Sequence, residues 1–171
     1  VTYEPLSGTS VSRDFVELPS QLFEHWLTVP EVLKRFAVHY ETKSPISEKL
    51  MERLIGASNY DMGYQTVEYT SSALVDLYFH LEDTEKDVME LQNEILSKIG
   101  LPEAIKMRHA TPNFAHVFSG GYYAAAYYSY MWSEVMDTDA FSAFEELDNP
   151  FDANLAKSLE DNILSKGNSL D

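Results

Sequence analysis

The sequence predicts an all-α fold, and three observations carry that prediction. Apolar residues recur at spacings of three and four along most of the chain. Capping residues, prolines and glycines cluster at the ends of those periodic runs. Hydrophobic residues fill 44% of 171 positions, enough for a sizeable core at a length that normally makes one domain. No internal repeat, low-complexity linker or composition shift marks a boundary, so residues 1–171 are expected to form a single helical unit.

The elements follow in order. After the loop Leu6-Ser7-Gly8-Thr9-Ser10, the stretch Arg13 to Leu27 places Phe15, Leu18, Leu22, Phe23 and Trp26 on one helical face. Pro19 lies inside it and should kink the helix or start a second one. Thr28-Val29-Pro30 reads as a cap with proline in the first turn, opening a helix to about Tyr40. A turn at Lys43-Ser44-Pro45 precedes a helix over Ser47 to Ile55, striped by Leu50, Met51, Leu54 and Ile55, which Gly56 and Asn59 can end. Asp61 to Leu81 is expected as one long helix. Thr84-Glu85-Lys86-Asp87 resembles a capping box with Asp in place of Glu, and its helix should end at Lys98-Ile99-Gly100. Leu101 to Asn113, with Pro102 and Pro112, reads as an irregular connection. Tyr122 to Leu147 is expected as a long helix broken by Asn149-Pro150. A last helix, Phe151 to Lys166, is stopped by Gly167.

Composition excludes several functions. There is no cysteine, hence no disulfide scaffold, thiolate zinc site or cysteine nucleophile. With 12 Lys+Arg against 28 Asp+Glu the formal net charge is −16, which makes nucleic acid a poor partner, because phosphate binding needs clustered cations. No apolar run approaches a membrane span, and Val1-Thr2-Tyr3-Glu4-Pro5 is not a signal peptide. The five histidines form no HxxxH pair, HExxH is absent from these residues, and no GxSxG elbow, phosphate loop or dinucleotide fingerprint occurs.

Two segments are unusual for a plain bundle. In Gly8 to Trp26, Glu17 sits between apolar residues close to Pro19, near the edge of the face made by Phe15, Leu18 and Leu22. A buried carboxylate is costly unless paired or bound to a metal, and on spacing alone a solvated Glu on a kinked helix is the plainer reading. In Phe114 to Trp132, Tyr123, Tyr127 and Tyr130 follow i, i+4, i+7, so one helix would point their hydroxyls the same way. Gly120-Gly121 forms a hinge before them, and His116 precedes it. Aligned phenols can donate to a developing oxyanion; packed in a core, each would need a partner for its hydroxyl.

Both segments, in this order, resemble the thimet-oligopeptidase-like zinc metallopeptidases. In that family SGT-x3-RDFVE-x-PSQ-x3-HW carries the third zinc ligand, a Glu. Here the stretch reads Ser7-Gly8-Thr9 and then Arg13 through Trp26, which implies that Glu17 is a zinc ligand. The family's H-x-F-x-GGY-x3-YY-x-Y-x-W-(S/A)-(E/D)-V segment closes over bound peptide, and its His and Tyr residues stabilise the tetrahedral intermediate. By position those roles fall to His116, Tyr127 and Tyr130, and Gly120, Gly121 and Tyr122 complete the substrate-binding stretch. The segment is one residue longer here than in the family. Counting back from Tyr127 selects Tyr123 as the functional tyrosine, counting forward from Gly121 selects Tyr122, and helical phase favours Tyr123. Trp132-Ser133-Glu134-Val135-Met136-Asp137 and Ser165-Lys166-Gly167-Asn168-Ser169 continue the likeness, which is faintest between Glu41 and Met107.

The resemblance implies an all-α, C-terminal part of a two-lobed zincin-type catalytic domain that hydrolyses short peptides with one zinc ion. The family's two His ligands and general base are expected just before Val1, in a missing N-terminal part of the same chain. This part alone is therefore expected to bind no zinc and to be inactive. The resemblance leaves peptidyl-dipeptidase and oligopeptidase specificity open, with Arg108 and His109 as candidate cations for a terminal carboxylate. A cytoplasmic location is expected, and the acidity suits peptides of positive charge. The competing reading is a non-enzymatic helical module whose acidic face recruits a basic partner.

Overall fold

The computed structural model describes residues 1–81 and 85–169. Among the described residues every regular element is helical, and the sole extended pairing is an isolated antiparallel bridge between Val38 and Pro45. No helix among them is long and apolar enough to cross a membrane. The contacts divide the chain into two compact units, Val1–Tyr60 with Met131–Asp171, and Asp61–Tyr130.

In the first unit Pro19 starts a helix rather than kinking one. Residues 13–17 are turns, and α1 spans Leu18–Glu24 with Glu17 at its N-cap position and Pro19 in the first turn, where no N–H is lost. A 3-10 turn, His25–Thr28, follows. Leu18 and Leu22 are buried, but Phe23, expected on the same face, is 53% exposed. Thr28 is not the cap of the next helix: its Oγ1 donates to the His25 carbonyl, and α2, Pro30–Phe36, begins after Val29 without a side-chain cap. That helix ends four residues earlier than expected. The chain instead folds back on itself, with His39 N–H donating to Ser44 O, Ile46 N–H to Ala37 O, and Lys43 at φ +58°.

Ser47 caps α3, Glu48–Ala57, by accepting from Leu50 N–H, and the helix runs through Gly56 instead of ending there. Only Met51 of its apolar stripe is buried. The helix α7, Ser129–Glu146, begins seven residues later than Tyr122; its first two residues are grouped with the second unit. Phe141 and Phe144 on α7 pack with Leu22 and Val29 as the unit's core. Trp26 meets both phenylalanines edge-on and donates its indole N–H to Pro150 O at 2.8 Å. The last helix begins two residues later than Phe151: Asp152 caps α8, Ala153–Leu159, which widens into a π turn over Glu160–Leu164. Gly167 then stops it at φ +54°, where an added Cβ would lie 2.0 Å from Leu6 O.

The second unit is built on α4, Met62–Leu81, the long helix expected from periodicity. The helix α5, Val88–Lys98, ends as expected before Gly100, which takes φ +72°. Its N-cap is Asp87, which accepts from Met89 and Glu90 N–H; Thr84, expected in that role, lies outside the described residues. Val75, Leu91 and Ile95 pack the two helices together. The connection after Gly100 is irregular until a 3-10 turn, Thr111–Asn113, which Gln92 anchors by accepting from both Thr111 N–H and Oγ1 at 2.8 Å. A single turn, α6, Ala115–Phe118, follows, with Phe114 and Val117 buried.

Candidate functional site

The tyrosine segment is not a helix. Residues 122–128 run through turns, and Ala125 takes a left-handed φ of +57°. The i, i+4, i+7 phase therefore does not explain how these tyrosines meet. Side chains of α4 do. The Asp76 carboxylate, 0% exposed, accepts from Ala125 N–H at 3.0 Å and from Tyr127 N–H at 2.9 Å. The Tyr69 hydroxyl donates to Tyr127 O. These bonds satisfy backbone groups that a helix would have paired internally, so the segment is free to fold across the end of α6.

The result gathers most of the expected residues. Nε2 of His116 lies 2.9 Å from the Tyr130 hydroxyl. The His116 ring lies 4.4 Å from that of Tyr123, 5.5 Å from Tyr127 and 5.9 Å from Tyr130, centroid to centroid. Tyr123 stacks parallel to Tyr130 at 6.1 Å, and Tyr127 meets Tyr130 at 5.5 Å. Tyr127 is buried against Phe114, whereas His116 is exposed and Tyr123 and Tyr130 are half-buried. The His116–Tyr130 pair thus stands at the open edge of an aromatic base. Tyr122 packs edge-on against Tyr123 at 5.1 Å but is 48% exposed. Gly120 and Gly121 are exposed, and a Cβ added at either would meet nothing within 4 Å.

Burial raises the Tyr127 pKa above the ordinary phenol value; Arg108 opposes this and Glu68 adds to it. Tyr127 therefore keeps its proton and remains a donor through neutral pH. His109 stacks on Phe114 at 4.7 Å, and its buried Nδ1 has no partner among the described residues. Burial, then Arg108 and His116, lower its pKa, with Glu68 opposing. At neutral pH His109 is thus the uncharged member of the Arg108-His109 pair, and Arg108 is exposed.

Glu17 belongs to the first unit. It is half-buried, and its Oε2 accepts from Ser20 Oγ at 2.9 Å. Zinc requires three or four protein ligands. No group of three or more His, Asp or Glu side chains able to hold a metal ion occurs among the described residues. Glu17 supplies one carboxylate of the donor type zinc accepts.

The sequence reading overlooked Asp76 and Tyr69. The signal for Asp76 was available: it is the lone charge within Ala73-Leu74-Val75-Asp76-Leu77-Tyr78-Phe79, and an acid in such a run must be paired.

A family model described as peptidase family M3 matches residues 1–171. The chain is 40% identical to dipeptidyl carboxypeptidase of Escherichia coli, with 99% of the chain aligned to 25% of that protein. It is 38% identical to oligopeptidase A of the same organism, over 96% of the chain and 24% of that protein. Against a thimet-like oligopeptidase of Dictyostelium discoideum the identity is 32%, over 99% of the chain and 25% of that protein. The chain spans about a quarter of the length of these curated relatives. With the family model matching from end to end, the chain belongs to peptidase family M3.

Proposed function

We propose that these residues are the C-terminal part of a larger zinc metallopeptidase that hydrolyses short peptides. The observation that carries this reading is the His116–Tyr130 pair, 2.9 Å apart at the open edge of the tyrosine cluster. With His116 Nε2–H donating to the Tyr130 oxygen, the phenolic proton is left to donate to an oxygen that gains charge as a carbonyl becomes tetrahedral. Such bonds are worth more in the transition state than in the bound substrate. Tyr123, stacked on Tyr130 and packed on His116, holds both rings and is the functional tyrosine in preference to Tyr122. Tyr127 forms the buried floor, its retained proton keeping negative charge out of the cluster. The open space at Gly120 and Gly121 lets an extended peptide backbone approach closely.

Glu17 is proposed as one ligand of a zinc ion whose other ligands lie outside residues 1–171, in the rest of the same chain. When bound, that ion would act as a Lewis acid toward the scissile carbonyl. The isolated residues 1–171 then neither hold zinc nor cleave peptide. The test is elemental analysis of the isolated chain, the full-length protein and its Glu17→Gln variant. Zinc is expected at one per molecule in the full-length protein alone, and stoichiometric zinc in the isolated chain would contradict the reading.

Arg108, exposed and electrostatically coupled to Tyr127, is proposed to receive a substrate's C-terminal carboxylate. Comparing hydrolysis of free and amidated peptides by the full-length protein tests it: only the free C-terminus should lose rate when Arg108 becomes Ala. A cytoplasmic location is part of the same proposal, checked by fractionating cells that make the full-length protein.

A further inference from the structure

We propose that Asp76 and Tyr69 are positioning residues, which set kcat by fixing the backbone of the tyrosine segment. The inference rests on the reading of His116 and Tyr130 given above and adds two residues that need not touch substrate. Tyr69 and Asp76 are seven positions apart on α4, two turns along one face. Between them they hold both polar groups of one residue: Asp76 accepts the N–H of Tyr127 and Tyr69 donates to its carbonyl. Asp76 also accepts from Ala125 N–H, which holds a left-handed turn that an alanine β-carbon disfavours.

In this clamp Asp76 is fully buried, and its two oxygens divide the work: Oδ1 accepts from Ala125 N–H and Oδ2 from Tyr127 N–H. His80, four residues on, places Nδ1 3.0 Å from the same Asp76 oxygen that receives Ala125. An apolar residue of similar size at this position would leave the Ala125 and Tyr127 N–H groups without their acceptor, so the carboxylate is what holds the segment to this path. Its directional effect is plain. It sets where the Tyr127 ring lies, 5.2 Å from Tyr69 and 5.5 Å from both His116 and Tyr130.

Because the action passes through backbone, its signature differs from that of a group that contacts substrate. In the full-length protein Asp76→Asn preserves size but cannot accept both N–H bonds, and Tyr69→Phe preserves the stacked ring while removing one bond. Backbone amide exchange over residues 122–128 should quicken at least tenfold in Asp76→Asn and less in Tyr69→Phe, with residues 88–98 unchanged. Turnover should fall with it, by about 10–100-fold for Asp76→Asn and about 3–10-fold for Tyr69→Phe, while KM stays within about threefold. Should Asp76→Asn fail to fold, Tyr69→Phe carries the same test. Unchanged exchange over 122–128 in the variants that fold overturns the proposal. So does quickened exchange with normal kcat when Tyr130→Phe, assayed in parallel, is impaired. Normal kcat in Tyr130→Phe as well locates the failure in the reading of the site and not in the clamp.

Discussion

The imidazole Nε2 of His116 lies 2.9 Å from the phenolic oxygen of Tyr130, although the two residues leave different helices, α6 and α7, and residues 119–128 between those helices are not helical. That relationship depends on a turn at Ala125 and on the two bonds Asp76 makes to the segment. It gives the cluster a hydrogen-bonded histidine–phenol pair at an exposed edge over a buried aromatic floor. The consequences below follow from that geometry.

Tyr123 and Tyr122 should differ sharply. Tyr123 stacks on Tyr130 and contacts His116, whereas Tyr122 is half exposed. In the full-length protein Tyr123→Ala is expected to lower kcat/KM by about a hundredfold, and Tyr122→Ala by about tenfold or less. Steady-state assay of the two variants on one peptide decides the matter, and the opposite ranking would transfer the role to Tyr122.

Gly121 should be tolerated by the fold and not by the substrate. A Cβ there meets nothing within 4 Å, and the residue does not hold a left-handed φ. Gly121→Ala is expected to leave stability unchanged or to raise it by about 0.4–1 kcal/mol through the unfolded state. Peptide binding should weaken by about tenfold. A thermal melt and a KM measurement on one preparation read both effects.

His109 should titrate below 6.5, because burial and the nearby Arg108 and His116 disfavour its charged form. Between its folded pKa and 6.5 the unfolded chain binds a proton that the folded chain does not. Its contribution to stability is thus complete above 6.5 and is lost as pH falls toward the folded pKa. NMR titration of labelled histidine should give a midpoint under 6.5, and His109→Phe should flatten the stability slope in that window.

Legibility was uneven, for physical reasons. The helix α4 and the end of α5 at Gly100 were readable because length, period and terminator agreed. Expected and found bounds parted where a tertiary bond outweighed a local preference. Residues 122–128 have the alanines and spacing of a helix, but Asp76 and Tyr69, some fifty residues away, capture their backbone instead. Likewise α2 stops at Phe36 because Ala37, His39, Ser44 and Ile46 bond across a turn. The gathering of His116, Tyr123, Tyr127 and Tyr130 was anticipated, yet on the premise of a helical face that the structure does not contain. Sequence periodicity carries no record of a carboxylate reaching across the fold, so the residues were identifiable and the device that holds them was not.

The central claim is that the His116–Tyr130 pair stabilises a transition state. Its most direct test is kcat and KM for Tyr130→Phe in the full-length protein on a short peptide. Removing only the hydroxyl should lower kcat by about a hundredfold or more and leave KM within about threefold. An unchanged kcat, or a loss carried wholly by KM, would contradict it.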